Sequence, residues 1–415
     1  MAAADRARAS MVDVLCDAGR IRSPAVEDAF RNVPRHLFLP GLSLDEAYAD
    51  EAVAVQFADG VATSSASQPS MMAIMLEQLD LRPGQRVLEI GAGTGYNAAL
   101  MARILGPSGT VTAVDIDEDL IERAAFHLAS AGVDGVELVA ADGALGHPPG
   151  APYDRIVLTV GSGDIRPEWV AQLVPGGRLL LPIAVRGSQL STALDLGPDG
   201  VLRSHSVRSC AFIRLRGVGA STDVATRLDG VGLMLQVPED GPRAEAAGVS
   251  AALAEPGALL TVPVALGAAD VWDGFGLWLA LTEPGACRLL AAEPETGLPD
   301  DLLPLGPGSG TIALASMADV QPLGLAMVVA GPGRPDGRGP GAVAVREFGS
   351  AGPTLAGRLL AALDRWLAAG RPGAAEWRIV AVPAGAFYED PPPGVGVVRK
   401  VHCSLLVDLP VPVPS

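Results

Sequence analysis

Hydrophobic residues between positions 85 and 185 recur as short, continuous runs rich in Val, Ile and Leu. The runs are QRVLEIG, GTVTAVDI, VELVAAD, YDRIVLTVG and GGRLLLPIAV. Amphipathic stretches such as DEDLIERAAFHLASAG separate them. Continuous apolar strands that alternate with amphipathic helices are typical of a parallel sheet covered on both faces. The pattern therefore predicts a doubly wound α/β domain.

The flanking segments have different patterns. Residues 1–80 predict helices and loops, whereas STALDLG and CAFIRLRG predict strands that close the first sheet with an antiparallel edge before about residue 217. We therefore predict a first domain over 1–217, with a helical N-terminal segment at 1–80. Residues 218–258 are rich in Pro, Gly and Ala and predict a connection or short helix.

Residues 259–415 predict a second, α+β domain. Its predicted strands are ALLTVPVAL, FGLWLALT, GTIALAS, LGLAMVVAG, AVAVREFG and VVRKVHCSLLVDL. GPTLAGRLLAALDRWLAAG predicts an amphipathic helix that has Pro353 in its first turn and stops at Gly370. GPGRPDGRGPG, residues 331–341, predicts an exposed loop.

Composition narrows the class of protein. A chain of 415 residues favours two domains, and a net charge of −17 disfavours a nucleic-acid partner, although a local basic patch stays compatible with it. No apolar run is long enough to span a membrane, and charges interrupt the first residues where a signal peptide needs an apolar core. We therefore expect a cytoplasmic protein without a membrane partner, whose four scattered cysteines stay reduced.

Three glycines in VLEIGAGTGYNAAL mark the candidate ligand site. Gly91, Gly93 and Gly95 follow a predicted strand, and a helix is expected to begin near Tyr96. Such a turn lets a ligand approach the main chain and meet free helix N–H groups. The spacing differs from the G-x-G-x-x-G of dinucleotide sites, and Glu89 precedes it. An acid there would repel a pyrophosphate and attract an ammonium group.

Two further acids follow the next strands. Asp115 lies about 20 residues beyond the glycines, where a carboxylate accepts the ribose hydroxyls of a nucleoside, unless it is only a helix cap or a solvated loop acid. Asp142 is placed to accept from an adenine amino group. The ordered set describes a pocket for S-adenosylmethionine. The predicted cofactor-binding residues are Ser65, Glu89, Gly91, Gly93, Gly95, Tyr96, Asp115, Ile116, Asp142 and Gly143.

Residues 30 to about 216 resemble the protein-L-isoaspartate O-methyltransferase family. The matching segments are VPRHLFLP, AYADEAVAV and SASQPSMMAIMLEQLDLRPGQRVLEIGAGTGYNAALMARILG. The resemblance implies a class I, Rossmann-like methyltransferase fold, S-adenosylmethionine as cofactor and S-adenosylhomocysteine as product. It also implies that Ser67, with Gln68, acts on the substrate carboxylate. TSSASQP departs from the family's usual Thr-Ile before that serine, which makes the mouth of the site more polar.

Because it continues for about 200 residues beyond position 217, the chain is similar in architecture to a C-terminally extended subgroup of the family. That subgroup methylates an aspartate in ribosomally made precursor peptides (lanthipeptide, lasso peptide or graspetide), and the ester then closes to aspartimide or hydrolyses to isoaspartate. The alternatives are a general isoaspartate repair enzyme with an accessory domain and a catalytically silent protein that binds S-adenosylmethionine or a peptide. The partner is accordingly a precursor peptide or an isoaspartyl polypeptide.

Carboxylate methylation requires no general base, because an aspartate carboxyl group has an ordinary pKa near 3.9 and is already ionised at neutral pH. We therefore expect no catalytic triad and no metal. Ser64, His36 and Val160 are the predicted substrate contacts. The tryptophans of the C-terminal half, Trp272, Trp278, Trp366 and Trp377, are expected either to form a peptide-binding surface or to pack in the core.

Overall fold

The structure is a computed structural model. It describes residues 3–58, 60–220, 225–228, 231–240, 244–291, 303–305, 308–318, 320–331, 341–385 and 392–410. Within these residues, no helix is both long enough and apolar enough to cross a membrane. All four cysteines are free thiols.

The N-terminal segment packs its helices around one β-hairpin. Its elements are α1 (Ala3–Asp17), α2 (Pro24–Asn32), α3 (Leu44–Tyr48), β1 (Val53–Ala58), β2 (Val61–Ala66) and α4 (Pro69–Leu79). The sequence predicted helices and loops here and missed the hairpin. Most residues of β1 and β2 are half-buried or exposed, so the segment lacks the alternation of buried and exposed positions that betrays a strand.

The predicted doubly wound sheet is confirmed. Its parallel strands are β3 (Arg86–Ile90), β4 (Thr110–Asp115), β5 (Val136–Ala140), β6 (Tyr153–Leu158) and β7 (Leu173–Val185), and its covering helices are α5 (Tyr96–Leu105), α6 (Glu118–Ser130) and α7 (Pro167–Ala171). The order β5-β4-β3-β6-β7 reverses direction between β3 and β6. Ligands bind at the carboxyl ends of strands beside such a reversal.

Two antiparallel strands extend this sheet, β8 (Ser188–Leu196) and β9 (Leu202–Ser209). The expectation that CAFIRLRG forms a strand is wrong. Residues 210–216 instead run irregularly along the loop after β6, where the main chain of Gly161 bonds with Ile213 and Leu215. These hydrogen bonds occupy backbone N–H and C=O groups of the segment that pairing at a sheet edge would require.

The second sheet is antiparallel throughout its described strands, in the order β10-β11-β13-β15-β16-β17-β12 with β14 paired to β15. The strands are β10 (Ala225–Arg227), β11 (Leu233–Gln236), β12 (Pro256–Leu266), β13 (Ala286–Ala291), β14 (Leu303–Leu305), β15 (Gly308–Ala315), β16 (Leu325–Ala330) and β17 (Gly341–Phe348). The segment 218–258 was predicted as a connection or a short helix. The short helix is confirmed as α8 (Ala246–Leu253), and the segment also supplies β10 and β11, which were not predicted. The exposed loop predicted at 331–341 lies almost wholly outside the described residues.

FGLWLALT is a helix, so its prediction as a strand is wrong. A turn of π-helix, Asp270–Gly274, leads directly into α9 (Phe275–Thr282). Six of the eight residues of α9 are buried, on all sides of the helix. A helix that is apolar all round has no 3.6-residue period, and a short run of this kind cannot be distinguished from a buried strand.

The amphipathic helix predicted before Gly370 is confirmed as α10 (Gly352–Ala368), with Pro353 in its first turn. The remaining strands are β18 (Arg378–Pro383), β19 (Val395–Arg399) and β20 (Cys403–Asp408). They return to the first sheet, where β18 pairs with β9 and the order is β19-β20-β18-β9. The first sheet therefore does not end near residue 217 but continues into the last strands of the chain.

One apolar core joins the two sheets. It combines Leu190 and Val207 of the first sheet with Phe275, Trp278 and Ile379 from the C-terminal half. Trp366 and Trp377 are fully buried, and Trp272 is half-buried under the guanidinium of Arg288. Core packing of these tryptophans is confirmed, and a tryptophan-built peptide surface is wrong.

We expect Trp366→Ala to lower the free energy of unfolding by about 3–5 kcal/mol, as truncation of a large buried aromatic side chain does. The indole packs 5.7 Å from the ring of Phe275, and its N–H donates to the carbonyl of Pro372 at 3.1 Å. Asp364→Ala, an exposed position on the same helix, should change it by no more than about 0.5 kcal/mol. Urea titration measures both variants, and equal losses would contradict the assigned core.

Candidate functional site

The glycine turn after β3 forms the floor of the candidate site. Gly91, Gly93 and Gly95 have φ angles of 101°, 54° and 85°, a region that side chains other than glycine rarely adopt. A Cβ on Gly91 would lie 2.8 Å from the Thr159 hydroxyl oxygen and 2.9 Å from a Val160 methyl carbon. The bare backbone therefore lets the ends of β3 and β6 approach each other, and α5 begins at Tyr96 directly beyond.

Glu89 lies at the carboxyl end of β3 and is completely buried. Its Oε1 accepts a hydrogen bond from the Asn97 amide at 2.7 Å, whereas Oε2 has no partner among the described residues. Burial raises the pKa of Glu89 to about 8, although the bond from Asn97 opposes the shift. The negative charge of Asp115 raises it further. A buried carboxylate oxygen without a partner at a pocket wall is a site for a cationic ligand group.

Asp115 ends β4, next to β3. The Gly93 N–H donates to its Oδ2 at 3.0 Å, and the Asp117 N–H donates to its Oδ1 at 3.2 Å. Desolvation is the main cause that raises the pKa of Asp115, while those two backbone bonds and the charge of Arg216, 3.9 Å away, lower it. Ile116 follows, half-exposed beside the pocket. The carboxylate thus fixes the glycine turn and also faces the pocket.

Asp142 stands at the rim rather than in the pocket lining. Its Oδ1 accepts from the Ala144 N–H at 2.9 Å and its Oδ2 accepts from the Val218 N–H at 2.8 Å. The neighbouring Gly143 does line the pocket, where a Cβ would lie 2.4 Å from a methyl carbon of Ile90. The structure therefore gives Asp142 a second task, fastening the segment after residue 217 to the first domain.

The β-hairpin supplies the opposite wall. Ser64, Ser65 and Ser67 line the pocket, so the three serines noted in the sequence lie together. Gln68 does not join them, since its amide donates to the carbonyl of Asp50 at 2.9 Å and to the Asp50 carboxylate at 3.1 Å. The structure thus separates the two residues that the resemblance paired as catalytic.

Arg35 is a pocket residue that the sequence analysis missed. It is buried, and its guanidinium donates to the carbonyl of Ser67 at 3.0 Å and to that of Ala47 at 3.0 Å. It also lies 5.1 Å from the centre of the Tyr96 ring. Burial lowers the pKa of Arg35 and raises that of Tyr96, whose hydroxyl has no partner within the described chain. The VPRHLFLP motif was the available signal, because it contains this arginine.

The irregular segment 210–216 closes the third side. Phe212, Arg214 and Arg216 line the pocket together with Val160. Its residues were missed because the segment was predicted as an edge strand. The pocket is therefore bounded by the glycine turn, the hairpin serines and this segment.

His36 lies outside this lining. Its Nδ1 is 2.8 Å from the hydroxyl of Tyr48, and burial lowers its pKa. Among the residues that the structure describes, no group of three His, Cys, Asp or Glu side chains is arranged to hold a metal ion.

The two carboxylates at the glycine turn favour a nucleoside that carries a cation over one that carries a phosphate. Glu89 and Asp115 place two carboxylates around the glycine turn, with an unused oxygen on Glu89. Phosphate groups bind where helix N–H groups meet positive charge, whereas the side chains that flank the glycine turn at the ends of β3 and β4 are acids, and Arg35, Arg214 and Arg216 line other parts of the pocket. The residues present therefore fit the cofactor that the sequence analysis expects.

The sequence matches known proteins over its N-terminal half. The family model for protein-L-isoaspartate(D-aspartate) O-methyltransferase matches residues 6–219. A protein-L-isoaspartate O-methyltransferase of Methanopyrus kandleri is 39% identical over 213 residues, which cover 51% of this chain and 92% of that protein.

Two solved structures are also similar. A protein-L-isoaspartate O-methyltransferase shares 23% identity with a TM-score of 0.49, covering 90% of this chain and 96% of its own. A putative one from Plasmodium falciparum, in complex with S-adenosyl-L-homocysteine, shares 20% identity with a TM-score of 0.44, covering 50% of this chain and 97% of its own. The sequence match decides the family: this chain belongs to the protein-L-isoaspartate(D-aspartate) O-methyltransferase family.

Proposed function

We propose that this protein transfers a methyl group from S-adenosylmethionine to the free α-carboxylate of an isoaspartyl residue in a polypeptide. It is a protein carboxyl O-methyltransferase by family. The observation that carries the proposal is the buried, unpartnered oxygen of Glu89 beside the glycine turn. Asp115 complements it on the adjacent strand, in the lining of the same pocket.

The residues proposed to hold the cofactor divide by chemistry. Glu89 binds the ammonium group, the main chain of Gly91 and Gly93 accommodates the amino-acid end, and Asp115 accepts from the ribose hydroxyls. Ile116 and Gly143 contact the base. When bound, S-adenosylmethionine supplies a methyl carbon that passes to the acceptor oxygen while the electron pair of the broken carbon–sulfur bond stays on sulfur, leaving S-adenosylhomocysteine.

The acceptor carboxylate is proposed to enter the pocket from the side of the β1–β2 hairpin. Ser64 and Ser67 offer hydroxyl donors to a carboxylate, and Arg214 and Arg216 add positive charge to the same lining. The carboxylate is already ionised at neutral pH, so the protein's task is to orient it and exclude water. Arg35 acts indirectly, because it holds the main chain of Ser67 in place.

The ester has a defined fate. The backbone nitrogen of the following residue attacks the ester carbonyl, methanol leaves, and a five-membered succinimide (aspartimide) ring forms. Water then opens the ring to aspartate or isoaspartate. Repair of isoaspartyl damage and deliberate backbone modification share this chemistry, and they differ in which polypeptide enters the site.

The isoaspartyl acceptor is favoured over the precursor-peptide aspartate that the sequence analysis placed first. The relative from Methanopyrus kandleri, which is matched over 92% of its own length, is a protein-L-isoaspartate O-methyltransferase by name. Methylation of a normal aspartate in a ribosomally made peptide remains the second candidate. Its support is the polar Ser64–Ser65 mouth and the C-terminal region beyond the family model.

The acceptor experiment separates these functions. The protein is incubated with S-adenosylmethionine and two peptides that differ only in having isoaspartate or aspartate at one position, and the peptide mass is followed. We expect methyl gain and later methanol loss on the isoaspartyl peptide alone. Transfer only to the normal aspartate would favour tailoring, and transfer to neither in repeated peptide contexts would favour a silent binding protein.

Asp115→Ala should weaken binding of S-adenosylmethionine by about 10- to 150-fold, the loss expected for hydrogen bonds to a charged group. Isothermal titration calorimetry gives the affinity, and the melting temperature shows whether the glycine turn survives the loss of the Gly93 contact. Glu118→Gln, an exposed acid three residues away, is the matched control and should bind normally. Unchanged affinity in Asp115→Ala would refute the ribose contact.

Glu89→Gln should gain stability relative to the wild type as pH rises from about 4.5 to about 8, in the absence of ligand. Glutamate in the unfolded chain ionises near 4.5, whereas the buried group holds its proton to about 8. The folded wild type therefore binds more protons in this window and loses stability through it. Urea titrations at several pH values measure the difference, with Glu118→Gln as control. Parallel curves would show that Glu89 titrates normally.

A further inference from the structure

A second cleft adjoins the cofactor pocket, and we name it the hairpin cleft. It is bounded by residues 161–166 after β6, the β7–β8 turn, residues 218–220, and the turn between β19 and β20 at 399–402. Arg214 lines both cavities, and Val160 of the first is followed directly by Gly161 of the second. A polypeptide whose acceptor residue reaches the cofactor pocket is therefore adjacent to this cleft.

Hydrogen bonds and an ion pair hold the β19–β20 hairpin, the last hairpin of the chain, against the first domain, mainly at the loop after β6. The Asp164 carboxylate accepts from the His402 N–H at 2.7 Å and from the Cys403 thiol at 3.2 Å. The Lys400 ammonium donates to the carbonyl of Ala184 at 2.7 Å and pairs with Glu239. These contacts fix the cleft wall in position relative to the first sheet.

The charge of the hairpin cleft is opposite to that of the whole protein. The chain carries a net charge of −17, yet the cleft lining is mainly basic. Its basic side chains are Arg166, Arg214, Arg399, Lys400 and His402, of which Arg166 is paired with Glu168 at 3.0 Å and Lys400 with Glu239. Its acids are Asp164 and Glu239, whose carboxylates already accept the bonds just described.

Arg399 is the most available of these cations. Its side chain is exposed, and within the described residues no carboxylate pairs with its guanidinium. Only its backbone N–H is engaged, donating to Asp240 at 3.0 Å. A substitution of the side chain therefore leaves the contact that anchors the turn.

The surface of the cleft suits an extended main chain with apolar side chains. Val218 and Val401 are 71% and 81% exposed, one on each of two segments that bound the cleft. Gly161, Gly187 and Gly219 contribute backbone without side chains. The cleft is partly open to solvent, so a polypeptide can enter it without passing into a closed cavity.

We propose that the hairpin cleft binds the polypeptide that flanks the methyl-accepting residue and selects acidic segments there. The proposal rests on the proposed function for its position beside the acceptor. Its charge argument is separate, since carboxylates of the flanking residues complement a basic cleft on an otherwise acidic surface. The C-terminal region thereby gives the enzyme a substrate preference.

The main experiment uses isoaspartyl peptides of equal length whose flanking residues are Glu, Gln or Lys, on either the N-terminal or the C-terminal side. We expect KM for the Glu peptide on one side to be roughly 5- to 10-fold lower than for the Gln peptide, because several weak exposed ion pairs add together. The value of kcat should stay the same, and added salt should abolish the difference. Equal KM values across the flanks would overturn the proposal without any variant.

Arg399→Glu should remove most of the preference for acidic flanks. Arg20→Glu is the matched control, because Arg20 is exposed in the turn that follows α1 and the substitution changes the net charge equally. Retention of the preference in Arg399→Glu would overturn the proposal. Loss of it to the same extent in both variants would also do so, since net charge alone would then explain it.

A binding measurement separates this proposal from the proposed function. Fluorescence anisotropy follows a labelled Glu-rich peptide without isoaspartate on the wild type, Arg399→Glu and Arg20→Glu. If no isoaspartyl peptide is methylated, the proposed function fails, yet binding that only Arg399→Glu weakens still supports the cleft. A single-stranded oligonucleotide that binds more tightly than the Glu-rich peptide would assign the cleft to nucleic acid and overturn the proposal.

Discussion

The site depends on two carboxylates kept out of water at the ends of neighbouring strands. Glu89 is the penultimate residue of β3 and Asp115 is the last residue of β4. The two strands pair in parallel, and desolvation is the main cause that raises the pKa of each carboxyl group. Burying an unpaired carboxyl group costs stability unless a ligand compensates it. The protein satisfies one oxygen of Glu89 through Asn97 and leaves the other for a ligand. The glycines follow from the same constraint, because only bare backbone lets the turn reach Asp115 and Thr159 at once.

The C-terminal half is built onto the catalytic sheet rather than attached beside it. β18 pairs with β9, and one core contains Leu190 of the first sheet together with Trp278 of the second half. The edge of the first sheet at β9 is therefore covered by β18. Such an arrangement places the turn of the last hairpin at the loop after β6, whose first residues line the cofactor pocket.

The sequence predicted the elements whose signals are local. Continuous apolar runs identified the parallel strands, and the glycine spacing with Glu89 and Asp115 located the pocket. Features that depend on distant partners were not predictable: Arg35 is a pocket residue only because Ser67 and Ala47 accept its donors. β18 likewise joins β9 through a pairing far apart in sequence. The prediction of α9 as a strand failed for a different reason. The helix is buried on all sides, which removes the 3.6-residue periodicity that distinguishes a helix in the sequence.

Within a few residues, the loop after β6 contacts both the glycine turn of the cofactor pocket and the last hairpin of the chain. Thr159 and Val160 contact the glycine turn, and Asp164 grips the main chain of His402 in the last hairpin. A fixed wall costs less entropy on binding than a mobile loop that must first be ordered. Substrate preference can therefore diverge through the exposed side chains of the hairpin turn while Glu89 and the glycine turn stay unchanged. The residues proposed to determine the reaction are thus separate from those proposed to choose its polypeptide.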